Sequence, residues 1–349
     1  MKKLITLVLA LAMVVSLVAC SAPAEDKTPE TKPAETATTV TPAPEDEADI
    51  DYPNGPVTVL MPAKPGGDVD SSGRLLAKDL ESFLGETLVP TNVPDGSGAI
   101  AIKQLMDADA DGSILYNNFS WAMNCAINKF PEYKFEDLVP VAVYAKNDTQ
   151  ILCVAADAPY SNAKELADYI VANPGEVSFA ITLGSPSHYH CVAFEQACGG
   201  KFKRVDISSG SDKTISLLSG ECNVLSSTYG IMKDYIEAGK VKVIGSLAAE
   251  RSALCPDIPT MDEQGVEMSG GVGFGVHYVV FVKAGTDQAI IDYVAGKIEQ
   301  MVTDTSYAED CANLGFAPYF LGGDDVVEFE NAYMDFVGSF AEIIMNDTY

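Results

Sequence analysis

From residue 57 onward, short β-rich runs alternate with stretches of helical period, and this alternation limits the fold more than any other feature of the chain. Residues 57–61 read Val-Thr-Val-Leu-Met, a compact apolar and β-branched run. A turn rich in Pro and Gly follows at 62–67, and residues 70–84 then place Leu75, Leu76, Leu80, Phe83 and Leu84 on one helical face. The same grammar recurs. Strands are expected at 113–116, 177–181, 241–245 and 278–282, with two more apolar runs inside 139–154 broken by Lys146, Asn147 and Asp148. Helices are expected at 162–172, 187–197, 213–218, 287–301 and 324–345, the last docked against the body. Such alternation predicts α/β architecture with largely parallel sheets. In sheets of that kind ligands bind beyond the carboxyl ends of strands, where loops feed helix N-termini. Two glycine turns occupy such places, Pro65-Gly66-Gly67 and Leu183-Gly184-Ser185. Free backbone N–H groups and the helix dipole hold anions there. Glycine in these turns serves backbone geometry equally well, so the pattern alone leaves both readings open.

The N-terminus sets the compartment. Lys2 and Lys3 precede an apolar stretch at 4–19 that ends Leu17-Val18-Ala19-Cys20. A positive start, a short apolar core and small residues before a cut site make a secretory signal. The stretch is shorter than the roughly 20 apolar residues a membrane span needs. Its ending resembles a bacterial lipobox, which implies a lipoprotein signal peptide over 1–20 and lipidation of Cys20. The alternative is an ordinary signal with an incidental cysteine. Residues 21–50 are Pro, Ala, Thr and Glu with few bulky apolar side chains. They cannot bury enough surface to order themselves and are expected to form a disordered tether. The body is thus expected outside the cytoplasm, lipid-anchored to the cell membrane.

Charge excludes two partner classes. Asp and Glu number 50 against 22 Lys and Arg, a formal net charge of −28. Nucleic acid needs a basic face, and so does an anionic membrane bound by charge alone. An anionic ligand must be held by local groups against the global field. Eight cysteines include Cys20; the other seven cannot all pair within one chain, and no C-x-x-C occurs. They read as buried free thiols acting as small hydrophobes.

At the glycine turns the chain resembles the extracytoplasmic substrate-binding proteins of tripartite tricarboxylate transporters, the TctC or Bug family. Tyr52-Pro53 opens the first strand as in that family. Pro62 to Asp70 follows its Pro-x-x-x-Gly-Gly-x-x-Asp loop, and Asn92-Val93-Pro94-Asp95-Gly96-Ser97-Gly98 its Asn-x-Pro-Gly-Ala-Gly-Gly segment. Leu138-Val139-Pro140-Val141-Ala142 and the stretch with Glu250-Arg251-Ser252, Pro256-Asp257-Ile258-Pro259-Thr260 and Glu263-Gln264-Gly265 extend the likeness in order and spacing. The resemblance implies a two-domain clamshell like a type II periplasmic binding protein, with the ligand cleft between domains. Domain 1 would be discontinuous, 51–153 with 279–349, and domain 2 would be 154–278. It implies a monomer that captures a small organic carboxylate, or an amino acid, for membrane permease subunits. It implies no enzyme activity and no cofactor.

Binding residues carry over at three loops: Pro65, Gly66, Gly67 and Asp70; Gly184, Ser185, Ser187 and His188; and Ser208, Ser209 and Gly210. Three departures bear on specificity. Asp68 brings a negative charge to the first loop, Ser208 stands where relatives often carry Lys, and Asn223 where they carry Asp. Lys64 is either a compensating cation or a solvated side chain. A unit charge about 4 Å from a ligand charge is worth roughly 4 kcal/mol at an effective dielectric near 20, enough to change ligand class.

His188, His190 and Cys191 could ligate a metal, but residues two apart on a helix diverge and no third ligand is near. His188 reads as lining the cleft and His190 as helix surface. A hydrolase lacks a Gly-x-Ser-x-Gly elbow. Presentation of ligand to a sensor kinase would use the same clamshell. Trp121, the only tryptophan, is either a structural ring or a wall for the ligand's carbon skeleton, with Tyr189 and Phe274 as further candidates.

Overall fold

In the computed structural model the first strand, β1 (Val57–Met61), is buried at every residue but the half-buried Thr58, as an apolar and β-branched run inside a sheet covered on both faces requires. The structure describes residues 50–94, 98–119, 132–183, 185–207 and 210–346. The expected signal, the tether, Cys20, Trp121, Gly184, Ser208 and Ser209 lie outside those residues. The described residues belong to one unit that carries two sheets.

The first sheet has strand order β11-β4-β10-β3-β1-β2, formed by β1, β2 (Leu88–Asn92), β3 (Ile114–Phe119), β4 (Leu138–Asn147), β10 (Val276–Lys283) and β11 (Ala317–Gly322). The second has order β7-β6-β8-β5-β9, formed by β5 (Gln150–Ala155), β6 (Ser178–Ile181), β7 (Lys203–Asp206), β8 (Val224–Thr228) and β9 (Val241–Ser246). Both sheets are mixed, which corrects the expectation of largely parallel ones. β1 pairs in parallel with β2 and β3, and β6 with β7 and β8, but β10 runs antiparallel to both β3 and β4, and β5 antiparallel to β8 and β9. The reason is the path between sheets. β4 ends at Asn147 opposite Val276, and β5 begins at Gln150 opposite Thr228. A strand that enters at the edge where its parallel neighbours finish must run against them.

Nine helices are described. α1 (Asp68–Leu84) and α7 (Gln288–Val302) cover one face of the first sheet, burying Leu76, Leu80, Val294 and Ile298 with Val59 and Leu115. α2 (Ala99–Asp107) covers its other face with Ile102 and Leu105. α3 (Ala163–Ala172) starts at Asn162, whose side chain accepts from the Glu165 N–H as a helix cap. α3 and α4 (Pro186–Cys198) pack on the second sheet, and α5 (Gly210–Ser219) and α6 (Tyr229–Glu237) on its other face. α8 (Thr305–Asn313) leads back to β11. The last helix, α9 (Gly323–Asn346), joins both bodies: Val326 lies in a cluster of the first sheet, Tyr333, Val337 and Phe340 in one of the second.

Candidate ligand-binding site

The chain passes from one sheet to the other through Asp148 and Thr149 alone, and returns at Phe274 and Gly275. Asn147 and Gln150 are three Cα steps apart, so the two sheet edges are at most ~11 Å apart there. These are the edges where β1 and β3 of the first sheet and β6 and β8 of the second finish. Phe119, at the end of β3, packs against a core cluster of each sheet. The loops after β1 and β6 therefore leave their sheets at the ends that the crossing joins.

The first loop is shaped by Asp70. Its carboxylate accepts from Gly66 N–H at 2.8 Å, Arg74 Nε at 2.9 Å and Asn92 Nδ2 at 2.9 Å. Burial opposes its charge, and the bonds from Arg74, Gly66 and Asn92 together outweigh that, holding the carboxyl below the usual range. Gly66 has φ +90°, the left-handed region that favours glycine. Asp70 thus fixes the turn from within, directed into the loop. Pro65, Gly67 and Lys64 are exposed. Asp68 opens α1 and is solvent-accessible, yet it is overhung by neighbouring protein, and that desolvation pushes its carboxyl up. Its charge is felt at Tyr278 on β10.

A buried polar set sets the position of α1. Asn117 Nδ2 donates to Val69 O at 3.0 Å and Ser72 Oγ at 3.2 Å, and its Oδ1 accepts from Tyr144 Oη at 2.7 Å. Gly73 faces the sheet so closely that a Cβ there would overlap Met61 and come within 2.9 Å of Asn117 Nδ2.

The second loop is built around Ser187, which is 4% exposed. Its Oγ accepts from Thr182 N–H at 2.9 Å and from Lys213 Nζ at 2.8 Å, and lies 2.9 Å from Ser185 Oγ. A hydroxyl has two lone pairs and one proton. With both lone pairs taken, Ser187 donates to Ser185, and the Ser185 proton is left to point at another acceptor. The backbone contributes less than the turn suggested: Ser185 N–H donates to Thr182 O at 3.0 Å, and Pro186 has no N–H. Lys213, on α5, is 8% exposed. Burial lowers its ammonium to about 8, with Asp206 and Cys222 pulling the other way.

His188 is fully buried beside Ser187. His190 is buried too, against its reading as helix surface, because every residue of α4 from Ser187 to Glu195 is enclosed. Its ring meets Phe274 edge-on at 5.1 Å, and burial, with Lys213 second, lowers its pKa to about 3. Phe274 and Tyr189 are likewise core residues, the Phe274 ring meeting Phe336 and Phe340 at a tilt. Gly210 begins α5 and is exposed. No group of three His, Cys, Asp or Glu side chains among the described residues is arranged for a metal. Six described cysteines are free thiols, five of them buried. A separate cavity of about 320 Å³, lined by Lys146, Asp148, Arg251, His277, Tyr319 and Phe329, contains none of the residues expected at the site. Sequence reasoning missed Lys213, Thr182 and Asn117. Only Lys213 carried a signal, a lone cation just inside the helix after Ser209 and Gly210.

Two α/β bodies joined by short crossings, with helix-bearing loops opening between them, define the periplasmic solute-binding protein fold. The chain belongs to the tripartite tricarboxylate transporter family of receptors (TctC), whose profile matches residues 73–341. Among curated relatives, protein BugT of Bordetella pertussis is 26% identical over 284 residues, covering 80% of this chain and 86% of the relative. A protein encoded beside the gbd region of Cupriavidus necator is 24% identical over 284 residues, covering 80% and 84%. Among solved structures, a TctC solute-binding protein from Polaromonas superposes with TM-score 0.69 at 21% identity, covering 82% of this chain and 99% of that one. MatC of Rhodopseudomonas palustris, solved with malate, gives 0.64 at 21%, covering 84% and 100%. A second R. palustris protein, solved with adipate, gives 0.69 at 22%, covering 84% and 99%. The chain is a solute-binding protein of this extracytoplasmic family, whose members are receptors and not enzymes.

Proposed function

We propose that the protein captures a small organic carboxylate between its two sheets and hands it to the permease subunits of a tripartite tricarboxylate-type transporter. The two domains would turn about the crossings at Asp148-Thr149 and Phe274-Gly275, a few residues before the expected boundaries at 153/154 and 278/279, which would cut β5 and β10 away from their own sheets. Closure of this kind needs only a few residues to absorb the backbone change. Cys20 would carry the lipid that holds the protein at the membrane.

One observation supports this reading most: the hydroxyl chain from Ser187 to Ser185, backed by a buried ammonium, at an edge where the two sheets meet. It offers a directed donor and a positive charge in a protein whose net charge is −28. The opposing loop adds the first-turn N–H groups of α1 and the carboxyl of Asp68. Asp68 narrows the ligand to one that tolerates an acid nearby, either because its own ammonium pairs with Asp68 or because Asp68 keeps its proton.

The test is thermal unfolding of the purified protein against mono-, di- and tricarboxylates and amino acids. A ligand bound only by the native state adds about 2.7 kcal/mol of stability at 100 times its Kd. A raised midpoint with one or a few carboxylates is the expected result. Response to amino acids alone assigns Asp68 as an ammonium partner. A response confined to neutral solutes, or to none of the panel, contradicts carboxylate capture.

A further inference from the structure

We infer that Lys213 is the counter-ion of the ligand carboxylate, acting behind Ser185 at the N-terminal end of α4; this rests on the carboxylate reading above. Lys213 is 8% exposed, yet its ammonium makes one described hydrogen bond, to Ser187 Oγ at 2.8 Å. An ammonium has three donors. None of the described carboxylates comes within ion-pair distance; Asp206 acts only through its field. A buried charge without a paired charge is costly to keep. A purely structural tie between α5 and α4 needs no charge, since a neutral donor would serve Ser187 as well.

The chemistry of the hydroxyl chain gives the charge a direction. Lys213 and Thr182 N–H fill both lone pairs of Ser187 and orient its proton toward Ser185. Ser185 is half-buried, and accepting from Ser187 leaves its own proton for a further acceptor. Each bond polarises the next, so the positive charge strengthens the terminal donor. A carboxylate oxygen is the acceptor that gains most from such a donor. The rest of the protein repels anions, with 50 acidic side chains against 22 basic ones, so discrimination in favour of a carboxylate falls to a local cation. The resemblance placed the frequent lysine of relatives at position 208; in this chain the cation stands on the first turn of α5, at 213.

The experiment compares wild type with Lys213→Met and Lys213→Gln by titration calorimetry, using succinate, malate, adipate and citrate as probes at low and high salt. Unfolding midpoints without ligand are measured in parallel. The expected result is a carboxylate affinity at least tenfold weaker in both variants, loss of its salt dependence, and an unliganded midpoint equal to or above wild type. Affinity unchanged in a folded variant overturns the role of Lys213 and leaves carboxylate capture standing. A lowered midpoint with affinity retained assigns Lys213 to structure, which also overturns the inference. Wild type that ignores all four probes, and the monocarboxylates and amino acids of the unfolding panel as well, overturns both.

Discussion

Glu330 makes a demanding test of the packing that joins the two bodies. It lies on α9 between Phe329, which meets His277 at 4.7 Å, and Tyr333, whose hydroxyl donates to Gly275 O at 2.8 Å at the return crossing. Its side chain is 0% exposed, and neither carboxyl oxygen has a hydrogen-bond partner. Burial pushes this carboxyl well above its ordinary 4.5. The native state therefore keeps a proton that the unfolded chain releases above pH 4.5. Because the native state binds more protons, stability falls as pH rises, by ~1.4 kcal/mol per unit while the native carboxyl stays protonated. Its full contribution is present only below pH 4.5, the reverse of a salt-bridged carboxylate. Guanidinium unfolding of wild type, Glu330→Gln and Glu330→Leu from pH 5 to 8 isolates the effect, clear of the pI near 4.2. Wild type should lose stability relative to Glu330→Gln with that slope. Glu330→Leu removes an unsatisfied polar group and should be more stable than wild type at pH 7 by ~1–3 kcal/mol. A difference between wild type and Glu330→Gln that is flat with pH refutes the reasoning, since the carboxyl would then be ionised in the native state.

Two further substitutions probe how the first loop is held. Gly73→Ala drives a methyl into Met61 and Asn117; overpacking of ~1–3 kcal/mol should exceed the gain in helix propensity of up to ~1 kcal/mol, lowering the chemical unfolding midpoint. Asn117→Ala strips partners from Val69 O, Ser72 and Tyr144 and should cost ~1–3 kcal/mol. It should also weaken carboxylate binding, read by calorimetry, because it frees the N-terminal end of α1; a drop in stability with binding intact would separate that network from the site.

Much of the fold was legible because buried elements write their period into the chain. β1, β4, β5 and β10 are apolar runs, and α1, α3, α7 and α9 carry one apolar face and recognisable stops. The elements that escaped lack that signature. β2 is an edge strand containing Pro90, tolerated there because an edge need not donate. β7 reads Lys-Arg-Val-Asp at an edge of the second sheet, and β8 turns polar at Ser226, Ser227 and Thr228 as it approaches the crossing. The direction of β5 and β10 depends on a path between sheets that no local pattern records.

The candidate site was legible where local structure ties residue type to a turn, at Gly66 with its φ of +90° and at the Ser185–Ser187 turn. It was hidden where tertiary contact decides. Lys213 looks like any helix-surface cation until folding lays it against Ser187, 26 residues away. His190 looks like surface because α4 has little amphipathic contrast, and only the packing of Phe274 and α9 shows it enclosed.

Carboxylate capture between the two sheets is tested most directly by a crystal structure of the protein grown or soaked with the carboxylate that most raises its unfolding midpoint. The expected density has one carboxylate oxygen within hydrogen-bond distance of Ser185 Oγ, with Lys213 behind it and the loop at Gly66, Gly67 and Asp68 across the ligand. A carboxylate seated instead in the cavity lined by Lys146, Arg251 and His277, with the Ser185 and Lys213 end vacant, would contradict the site and the mode of capture built on it.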